Sequence, residues 1–247
     1  MGTLQQIKSC FSSKANVYER HVDIQPIVAQ KIANTIPKIM AQHILELGSG
    51  SGLLSQYLFN QFPEARLNLV DFSEDMIEVC KRRFKNVNNV MLTCCNIEEF
   101  STVESFDIIA SSMVLHWVSN LTKCLQYLTT KINPGGLFVF SMLGENSLKE
   151  WRDVCHEFSD SIPTPSFPSF SQIKNDFPNF HLEVSYINKK YKSAYDFLKT
   201  LKNIGANATR EEHVIFSTGT LRRIMHAFDQ RDVCITYEII YGRYQQL

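Results

Sequence analysis

The most constraining feature of this sequence is a glycine-rich turn between an apolar run and a helical pattern. Residues 43–47 (HILEL) have the composition of a short buried strand, residues 48–52 read GSGSG, and residues 53–62 show helical spacing. Glycines permit a tight turn and let a ligand lie against bare backbone. A strand, a glycine turn and a helix in this order predict a ligand-binding loop at the end of a strand.

The first 143 residues alternate β-rich runs with helical patterns. Strands are predicted at 43–47, 66–71, 89–95, 105–112 and 136–143, and helices at 25–39, 53–62, 73–84 and 120–132. Ser73 is the candidate N-cap of its helix, and an Asn-Pro-Gly-Gly turn at 133–136 is expected to close the last one. This alternation predicts an α/β fold with a parallel sheet and helices on both faces. Ligands bind beyond the carboxyl ends of such strands, so we expect the site after residues 47, 71, 95 and 112.

The second half of the chain follows a different pattern. Helices are predicted at 146–158, 193–205 and 220–228, and strands at 181–191 and 233–244, with Gly205 as a helix-ending glycine. Residues 159–179 contain Pro163, Pro165, Pro168 and Pro178 with phenylalanines between them, which favours a loop with short helical pieces. We expect the two strands to pair with the edge of the same sheet, and the remaining segments to cap the ligand crevice.

Two carboxylates beside the predicted loop indicate the chemistry of the ligand. Glu46 would repel a pyrophosphate, but it suits a ligand with an ammonium group, and S-adenosylmethionine carries an ammonium, a sulfonium and no phosphate. Asp71 ends the second predicted strand, where a carboxylate can accept both ribose hydroxyls. The alternatives are a phosphate-bearing nucleotide, a glycine turn without a ligand, and an Asp71 that only stabilises the following helix.

The remaining candidate cofactor residues follow other strand ends. Phe72 and Met76 could cover the adenine face, and Asn96 and Ile97 could offer an amide and a backbone N–H to the adenine edge. The predicted cofactor set is completed by the loop residues Gly48, Ser49 and Gly50 and by Ser111 near the end of the fourth strand.

Four segments together resemble the class I S-adenosylmethionine-dependent methyltransferases. They are E-x-G-x-G-x-G at 46–52, LVDFSEDMI at 69–77, FDIIASSMVLHW at 106–117 and NPGGLFVFSML at 133–143. The resemblance implies a seven-stranded, mostly parallel, Rossmann-like sheet that binds S-adenosylmethionine and releases S-adenosylhomocysteine. Asn96 stands where many members of that class have an acid.

Segments outside this core are similar to the malonyl-acyl-carrier-protein O-methyltransferases of biotin synthesis, the BioC family. They are residues 11–25, 111–117, 140–152 and 195–207. The resemblance implies methylation of the free carboxylate of a malonyl thioester, carried by acyl carrier protein or coenzyme A. We expect one domain over 1–247, with an N-terminal flap at 1–40, a cofactor-binding core at 41–143, and sheet-completing strands with a helical substrate lid at 144–247.

This chemistry needs positioning more than acid–base groups, because a carboxylate is already ionised at neutral pH. A cation should hold the substrate carboxylate, and Arg152 is the first choice, with Lys14, Arg20 and Lys202 as alternatives. Tyr18, in the flap, is expected to contact the cofactor or line the transfer site. His116 either hydrogen-bonds the acceptor or packs.

The balance of charged residues limits the classes of binding partner. Lys+Arg and Asp+Glu both number 25, which argues against nucleic acid, although an acidic carrier protein would need a local basic face. The candidate faces are residues 81–85 (KRRFK), 189–192 (KKYK) and 222–223 (RR).

The seven cysteines form no C-x-x-C pair, so we expect reduced thiols and no metal site. No apolar run is long enough to span a bilayer and the N-terminus lacks a signal-like core, so we expect a cytoplasmic monomer without a membrane partner.

Other functions remain open from the sequence alone. The acceptor could be another small carboxylic acid of the trans-aconitate type or a quinone precursor. The chain could also be a methyltransferase-like assembly factor or a protein-arginine hydroxylase.

Overall fold

A computed structural model describes residues 2–160, 164–206 and 216–247. The strands are β1 (His43–Leu47), β2 (Arg66–Asp71), β3 (Val90–Cys94), β4 (Phe106–Ser112), β5 (Ile132–Leu143), β6 (His181–Lys190) and β7 (Cys234–Gln245). The helices are α1 (Gly2–Ser12), α2 (Gln25–Thr35), α3 (Leu53–Gln61), α4 (Glu74–Arg83), α5 (Leu121–Thr129), α6 (Lys149–His156), α7 (Phe170–Asp176), α8 (Ala194–Asn203) and α9 (Thr218–Asp229). Short 3₁₀ turns cover Tyr18–Arg20 and Leu115–Trp117.

The described strands form one seven-stranded sheet in the order β3-β2-β1-β4-β5-β7-β6. β1 to β5 pair in parallel, and β7 runs antiparallel between β5 and β6. The predicted α/β class and the edge position of the last two strands are therefore confirmed. The strand order reverses between β1 and β4, and in open sheets of this kind a crevice forms at the carboxyl ends of the strands at that point.

Alternating residues of the strands divide the core into two layers. In β1, Ile44 packs with α2 and α3, while Leu45 and Leu47 pack on the opposite face with α5 and the segment around Phe180. The first layer continues under the C-terminal helices, where Trp151 contacts Phe197 and Phe228 edge-on, at ring distances of 5.6 and 5.4 Å. The central strands β1, β4 and β5 are thus covered on both faces, which leaves their ends for a site.

Two predicted helix boundaries are confirmed in detail. The Ser73 hydroxyl accepts a hydrogen bond from the Met76 N–H at 3.3 Å and caps α4. Gly205 has φ +77° just after the last residues of α8, a conformation that favours glycine.

The Asn-Pro-Gly-Gly turn was predicted at the wrong place. Residues 133–136 lie inside β5, which begins at Ile132, and α5 already ends at Thr129. Asn133 donates to the Asp107 carboxylate at 2.8 Å, and the backbone of Gly135 and Gly136 bonds to Gln246. The pairing of β4 with β5 shifts register between Phe106 and Ile108, so the extra residues are taken up as an irregularity in the strand.

The N-terminal and lid segments also differ from the prediction. Helix α1 was not predicted, and α6 begins at Lys149 because Leu148 adopts a left-handed backbone with φ +59°. The proline-rich stretch contains one short helix, α7. Pro163 and Asn207, which belong to predicted segments, lie outside the described residues. None of the described helices has the length and apolar character that a membrane crossing requires.

Candidate functional site

A cavity lies at the carboxyl ends of β1 to β4, where the sequence predicts the site. Its floor is the loop after β1, its sides are the residues that follow β2, β3 and β4, and the N-terminal segment covers it. The lining residues are Ile7, Phe11, Tyr18, Gln25, Ala29, Glu46, Gly48–Ser51, Leu53, Leu54, Val70–Phe72, Met76, Cys95–Ile97, Ser112–Val114 and Trp117.

The loop after β1 is a tight turn with two glycines in distinct roles. The N–H groups of Gly48 and Ser49 both donate to the Val70 carbonyl, at 2.7 and 3.0 Å. Gly48 has φ +70°, and a Cβ there would lie 2.3 Å from a methyl group of Val114. Gly50 has φ +53°, and no atom lies within 4 Å of where its Cβ would be. Gly48 therefore allows close packing, whereas Gly50 faces open space.

Asp71 joins β2 to this loop. Its Oδ2 accepts from the Gly50 N–H at 2.8 Å, and its Oδ1 accepts from the Ser73 N–H at 2.9 Å. Burial raises the pKa of Asp71 to about 6, although these backbone hydrogen bonds oppose the shift. Each oxygen keeps a second lone pair, so the carboxylate can still accept from a ligand hydroxyl.

Glu46 is a buried acid that forms no ion pair with any described residue. It is 1% exposed, and no hydrogen-bond partner to its Oε2 exists among the described residues. Burial raises the pKa of Glu46 to about 8; the nearby Asp71 adds to this shift, whereas Ser55 and Arg83 oppose it. A buried, unpartnered carboxyl oxygen at a cavity wall is the arrangement that a bound ammonium group would satisfy.

The predicted adenine-side residues are brought together. Phe72, Met76, Asn96 and Ile97 all line the cavity. The Asn96 Oδ1 accepts from the Glu98 N–H at 3.2 Å, which fixes the side chain at the turn after β3.

Ser111 is the exception among the predicted cofactor residues. Its hydroxyl donates to the Leu47 carbonyl at 2.9 Å, it is fully buried, and it is not part of the cavity lining. Side chains alternate along β4, so the neighbouring Ser112 lines the cavity instead.

The N-terminal segment, residues 5–25, is held over the cavity by contacts to α4 and to the cap of that helix. Ser12 and Ser73 share a hydrogen bond at 2.7 Å, and Arg82 donates to the Asn16 side chain at 2.7 Å. Arg83 forms an ion pair with Glu19. These contacts attach the segment that was predicted as a flap to α4.

A second cavity adjoins the first. Five residues line both: Phe11, Tyr18, Gln25, Met113 and Trp117. Its other walls are Ile24, His116, Leu143, Leu148, Pro165, Phe167, Leu201, Ile204, Ala206 and Tyr237. These walls are mostly apolar, and no lysine or arginine occurs among the described residues that form them.

His116 lies in the second cavity and not in the first. Its Nδ1 accepts weakly from the Leu143 N–H at 3.4 Å, and its ring lies beside Trp117 and Phe167 at 5.3 and 5.7 Å. Burial lowers the pKa of His116 to about 3, so the imidazole is neutral near pH 7. Burial also raises the pKa of Tyr18, with Asp71 and Glu19 adding to the shift, so its phenol stays protonated.

The structure does not place the predicted cation in either cavity. An Arg152 amino group donates to the Glu145 carbonyl, and the side chain lines neither wall. The alternatives Lys14, Arg20 and Lys202 are likewise absent from both linings. The role of Arg152 stays a prediction.

Several lining residues were missed or had no assigned role. Gln25 lies at the start of α2 and lines both cavities, and Ile7 comes from the unpredicted α1. Cys95 directly follows β3, so the strand-end rule that found Asn96 and Ile97 could also have found it. No sequence pattern indicated Ile7.

Comparison with known proteins gives the family. Over 236 residues, 92% of this chain and 87% of the relative, the chain is 28% identical to a malonyl-[acyl-carrier protein] O-methyltransferase of Magnetococcus marinus. The fold of this chain is similar to that of YcgJ from Bacillus subtilis, with a TM-score of 0.63 and 16% identity. The match covers 89% of this chain and 98% of YcgJ. The N-methyltransferase NodS from Bradyrhizobium japonicum, solved with S-adenosylhomocysteine, matches with a TM-score of 0.52, 14% identity and coverage of 92% and 86%. Residues 40–181 match the family model described as a methyltransferase domain, and the chain belongs to this methyltransferase family.

Proposed function

We propose that this chain is a carboxyl O-methyltransferase that uses S-adenosylmethionine to esterify the free carboxylate of malonyl-acyl carrier protein or malonyl-CoA, an early step of biotin synthesis. The observation that carries the substrate assignment is the similarity to the malonyl-[acyl-carrier protein] O-methyltransferase of Magnetococcus marinus over 92% of the chain. That similarity includes the flap and the lid, and these are the parts in which methyltransferases of different specificity differ.

The first cavity fits the cofactor. The unpartnered Oε2 of Glu46 suits the ammonium group, Asp71 suits the ribose hydroxyls, and the open space beside Gly50 leaves room for backbone contact. Phe72 and Met76 would lie against the adenine, and Asn96 and Ile97 would meet its edge. When bound, S-adenosylmethionine supplies a methyl group on a sulfonium sulfur, and S-adenosylhomocysteine is left after the methyl has moved to a carboxylate oxygen.

The second cavity is the proposed acceptor chamber. Its apolar walls strip water from an incoming carboxylate, which strengthens the attraction between that anion and a sulfonium cation. The acceptor is already ionised, so no side chain has to remove a proton. A His116 with a pKa of about 3 is a weak proton acceptor and a protonated Tyr18 is not one, so both agree with a reaction that needs no base.

The shared wall is where the two reactants would meet. Tyr18 and Gln25 line both cavities and offer neutral hydrogen-bond donors there. We propose that they orient the acceptor, and that Arg152 pairs with its carboxylate after turning away from the Glu145 carbonyl.

A methylation assay tests this function. The purified protein is incubated with labelled S-adenosylmethionine and, separately, malonyl-carrier protein, malonyl-CoA, trans-aconitate, a quinone precursor and no acceptor. The expected result is a product one methylene heavier from a malonyl thioester alone, with S-adenosylhomocysteine in equal amount.

Methylation of trans-aconitate alone, or of the quinone precursor alone, would overturn the malonyl thioester as the substrate and identify the methylated compound as the acceptor class. Cofactor binding with no methyl transfer to any acceptor would overturn the proposal and favour an assembly factor or a hydroxylase.

A further inference from the structure

Helix α8 has two faces with different properties. Its inner side contributes Leu201 to the wall of the acceptor chamber, and Ile204, just after the helix, extends that wall. Its outer side exposes Tyr195, Lys199 and Lys202, whose spacing of four and three residues puts them on one stripe. The same helix thus separates the chamber from a basic surface.

The basic surface is defined as Lys192, Tyr195, Lys199 and Lys202, and its lysines are unpaired within the described part of the chain. All four residues are exposed, and Tyr195 is 63% exposed. Among the described residues, no carboxylate forms an ion pair with any of the three lysines. The Asp196 carboxylate accepts from the Lys192 backbone N–H at 3.3 Å and so is turned to the start of the helix.

Other basic clusters of the chain are more strongly compensated. Lys189 and Lys190 pair with Asp23 and Asp232. Within residues 81–85, Lys81 pairs with Glu78, Arg82 donates to Asn16 and Arg83 pairs with Glu19, so two of the four cations hold the flap. In α9, the cluster has only two cations, Arg222 and Arg223, and the guanidinium of Arg223 lies over the Phe158 ring at 5.1 Å. The outer face of α8 therefore carries the least compensated positive charge among these clusters.

The end of α8 also touches the flap. Gly205 has φ +77°, and a Cβ there would lie 2.9 Å from the Phe11 Cα and 3.0 Å from the Cys10 carbonyl oxygen. Phe11 lines both cavities. A macromolecule bound along α8 would consequently lie beside the junction of flap and lid.

We propose that this face of α8 docks an acidic acyl carrier protein, whose prosthetic arm passes the helix and delivers the malonyl group to the chamber behind it. The inference rests on the proposed function and extends it, because it assigns the carrier protein rather than coenzyme A as the acyl support. Exposed tyrosines are enriched at protein-binding surfaces, and the lysines complement an acidic partner. A chain with no net charge needs such a local field to attract an acidic protein.

The test compares two substrates that differ only in their carrier. The triple variant K192E/K199E/K202E is assayed with malonyl-carrier protein and with malonyl-pantetheine, which has the arm but no protein. We expect kcat/KM for the carrier-bound substrate to fall by about tenfold or more, and that for malonyl-pantetheine to change less than about twofold. The wild-type preference for the carrier-bound substrate should also weaken as salt rises.

A charge-matched control is K38E/K85E/K131E. These lysines precede β1, β3 and β5 and therefore lie toward the amino ends of the strands, opposite the site. The control should leave both kcat/KM values near wild type. An equal loss in both triple variants would show a general charge effect and overturn the docking proposal.

Direct binding separates this proposal from the proposed function. Anisotropy of a labelled malonyl-carrier protein should report binding to wild type and weaker binding to the α8 variant, even if no acceptor is methylated. Equal binding by wild type and variant overturns the docking face, whereas a missing methyl ester overturns the function. Should the triple variant fail to fold by circular dichroism, the single variants K199E and K202E give the same readout.

Discussion

The Asp71 carboxylate accepts a hydrogen bond from the Gly50 N–H at 2.8 Å, so the acid at the end of β2 holds the loop that follows β1. Its second oxygen accepts from the Ser73 N–H at 2.9 Å, at the start of α4. One side chain therefore sets the positions of two walls of the cofactor cavity. Under the proposed function, this group would recognise the ribose as well as hold the loop.

Substitution of Asp71 by asparagine should weaken cofactor binding. The amide of Asp71→Asn must turn its NH₂ group toward the N–H of either Gly50 or Ser73, which leaves a buried donor unsatisfied. We expect the Kd of S-adenosylhomocysteine, measured by titration calorimetry, to rise by roughly ten- to a hundredfold, which corresponds to about 1.5–3 kcal/mol.

Asp107→Asn is the matched control for this change. Asp107 accepts from the N–H groups of Gln42 and His43 at 2.7 and 2.9 Å, but it lies at the amino end of β4, away from the cavity. Its substitution should lower the melting temperature and leave the Kd within about twofold of wild type, since distant sites act independently. An equal rise of Kd in both variants would mean that the Asp71 effect is general destabilisation.

Glu46 should make both stability and cofactor affinity depend on pH. Its folded pKa of about 8 lies above the ordinary 4.5, so the folded chain binds this proton more tightly than the unfolded chain does. The stability of the cofactor-free protein should therefore fall as pH rises from about 4.5 to 8. The affinity for S-adenosylhomocysteine should rise over pH 6 to 8, because the ammonium group pairs with the ionised carboxylate.

Glu46→Gln tests the assignment of this carboxylate to the ammonium group. Calorimetric melting and titration should both show a weaker pH dependence in the variant, and S-adenosylhomocysteine should bind less tightly. Methylthioadenosine has the nucleoside but no ammonium, so its Kd should stay near wild type. A matching loss for both ligands would contradict the assignment.

The two cavity-floor glycines should respond differently to alanine. Gly48→Ala combines a left-handed backbone with a contact of 2.3 Å to Val114, so we expect a loss of roughly 2–4 kcal/mol in the free energy of unfolding. Gly50→Ala adds a methyl group in open space, so it should cost about 1 kcal/mol of stability and chiefly weaken cofactor binding.

Val114→Ala provides the internal control for Gly48. It removes the two methyl groups nearest to the added Cβ, so the double variant should recover part of the stability lost in Gly48→Ala. Urea denaturation measures the free energy of unfolding. If the double variant loses the sum of the two single losses, the contact with Val114 is not the cause of the instability of Gly48→Ala.

His116 should not contribute a titration to the reaction. Burial lowers the pKa of His116 to about 3, so the ring is already neutral throughout the usual assay range. His116→Asn should change the rate of malonyl-thioester methylation but not the shape of its profile between pH 5.5 and 8. Loss of a step near pH 6.5 in the variant would contradict this and identify His116 as a general base.

The cofactor half of the site could be predicted because its residues follow strand ends in a parallel sheet. Topology alone brings Glu46, Asp71 and Asn96 to the lining of the first cavity, and their roles at the cofactor stay predictions. Ser111 is absent from the lining of the first cavity, whereas Ser112 is part of it, because a shift of one residue along a strand reverses the side on which a side chain lies.

The acceptor side could not be derived from sequence pattern. Its wall combines the flap, the residues after β4, and α8, which are far apart in the sequence and joined by no short-range signal. Tyr237 shows this: it reaches the chamber from β7 and shares a hydrogen bond with Tyr191 at 2.7 Å. Resemblance to a family indicated the flap and α8, but not which of their side chains meet.

Arg152 provides the sharpest test of how the substrate carboxylate is held. Its guanidinium donates to the Glu145 carbonyl, in a loop that Glu238 also fixes through Asn146 at 2.8 Å. If Arg152 binds the carboxylate, Arg152→Ala should raise KM for malonyl-pantetheine by about tenfold or more, with an unchanged Kd for S-adenosylhomocysteine.

Arg152→Gln separates anion binding from support of the loop. Glutamine keeps a donor for the Glu145 carbonyl but carries no charge, so anion binding requires the same high KM in both variants. If Arg152 only supports the loop, Arg152→Gln should recover most of the activity lost in Arg152→Ala. Steady-state kinetics of the two variants therefore decides between the roles, and wild-type values in both would remove Arg152 from the substrate site.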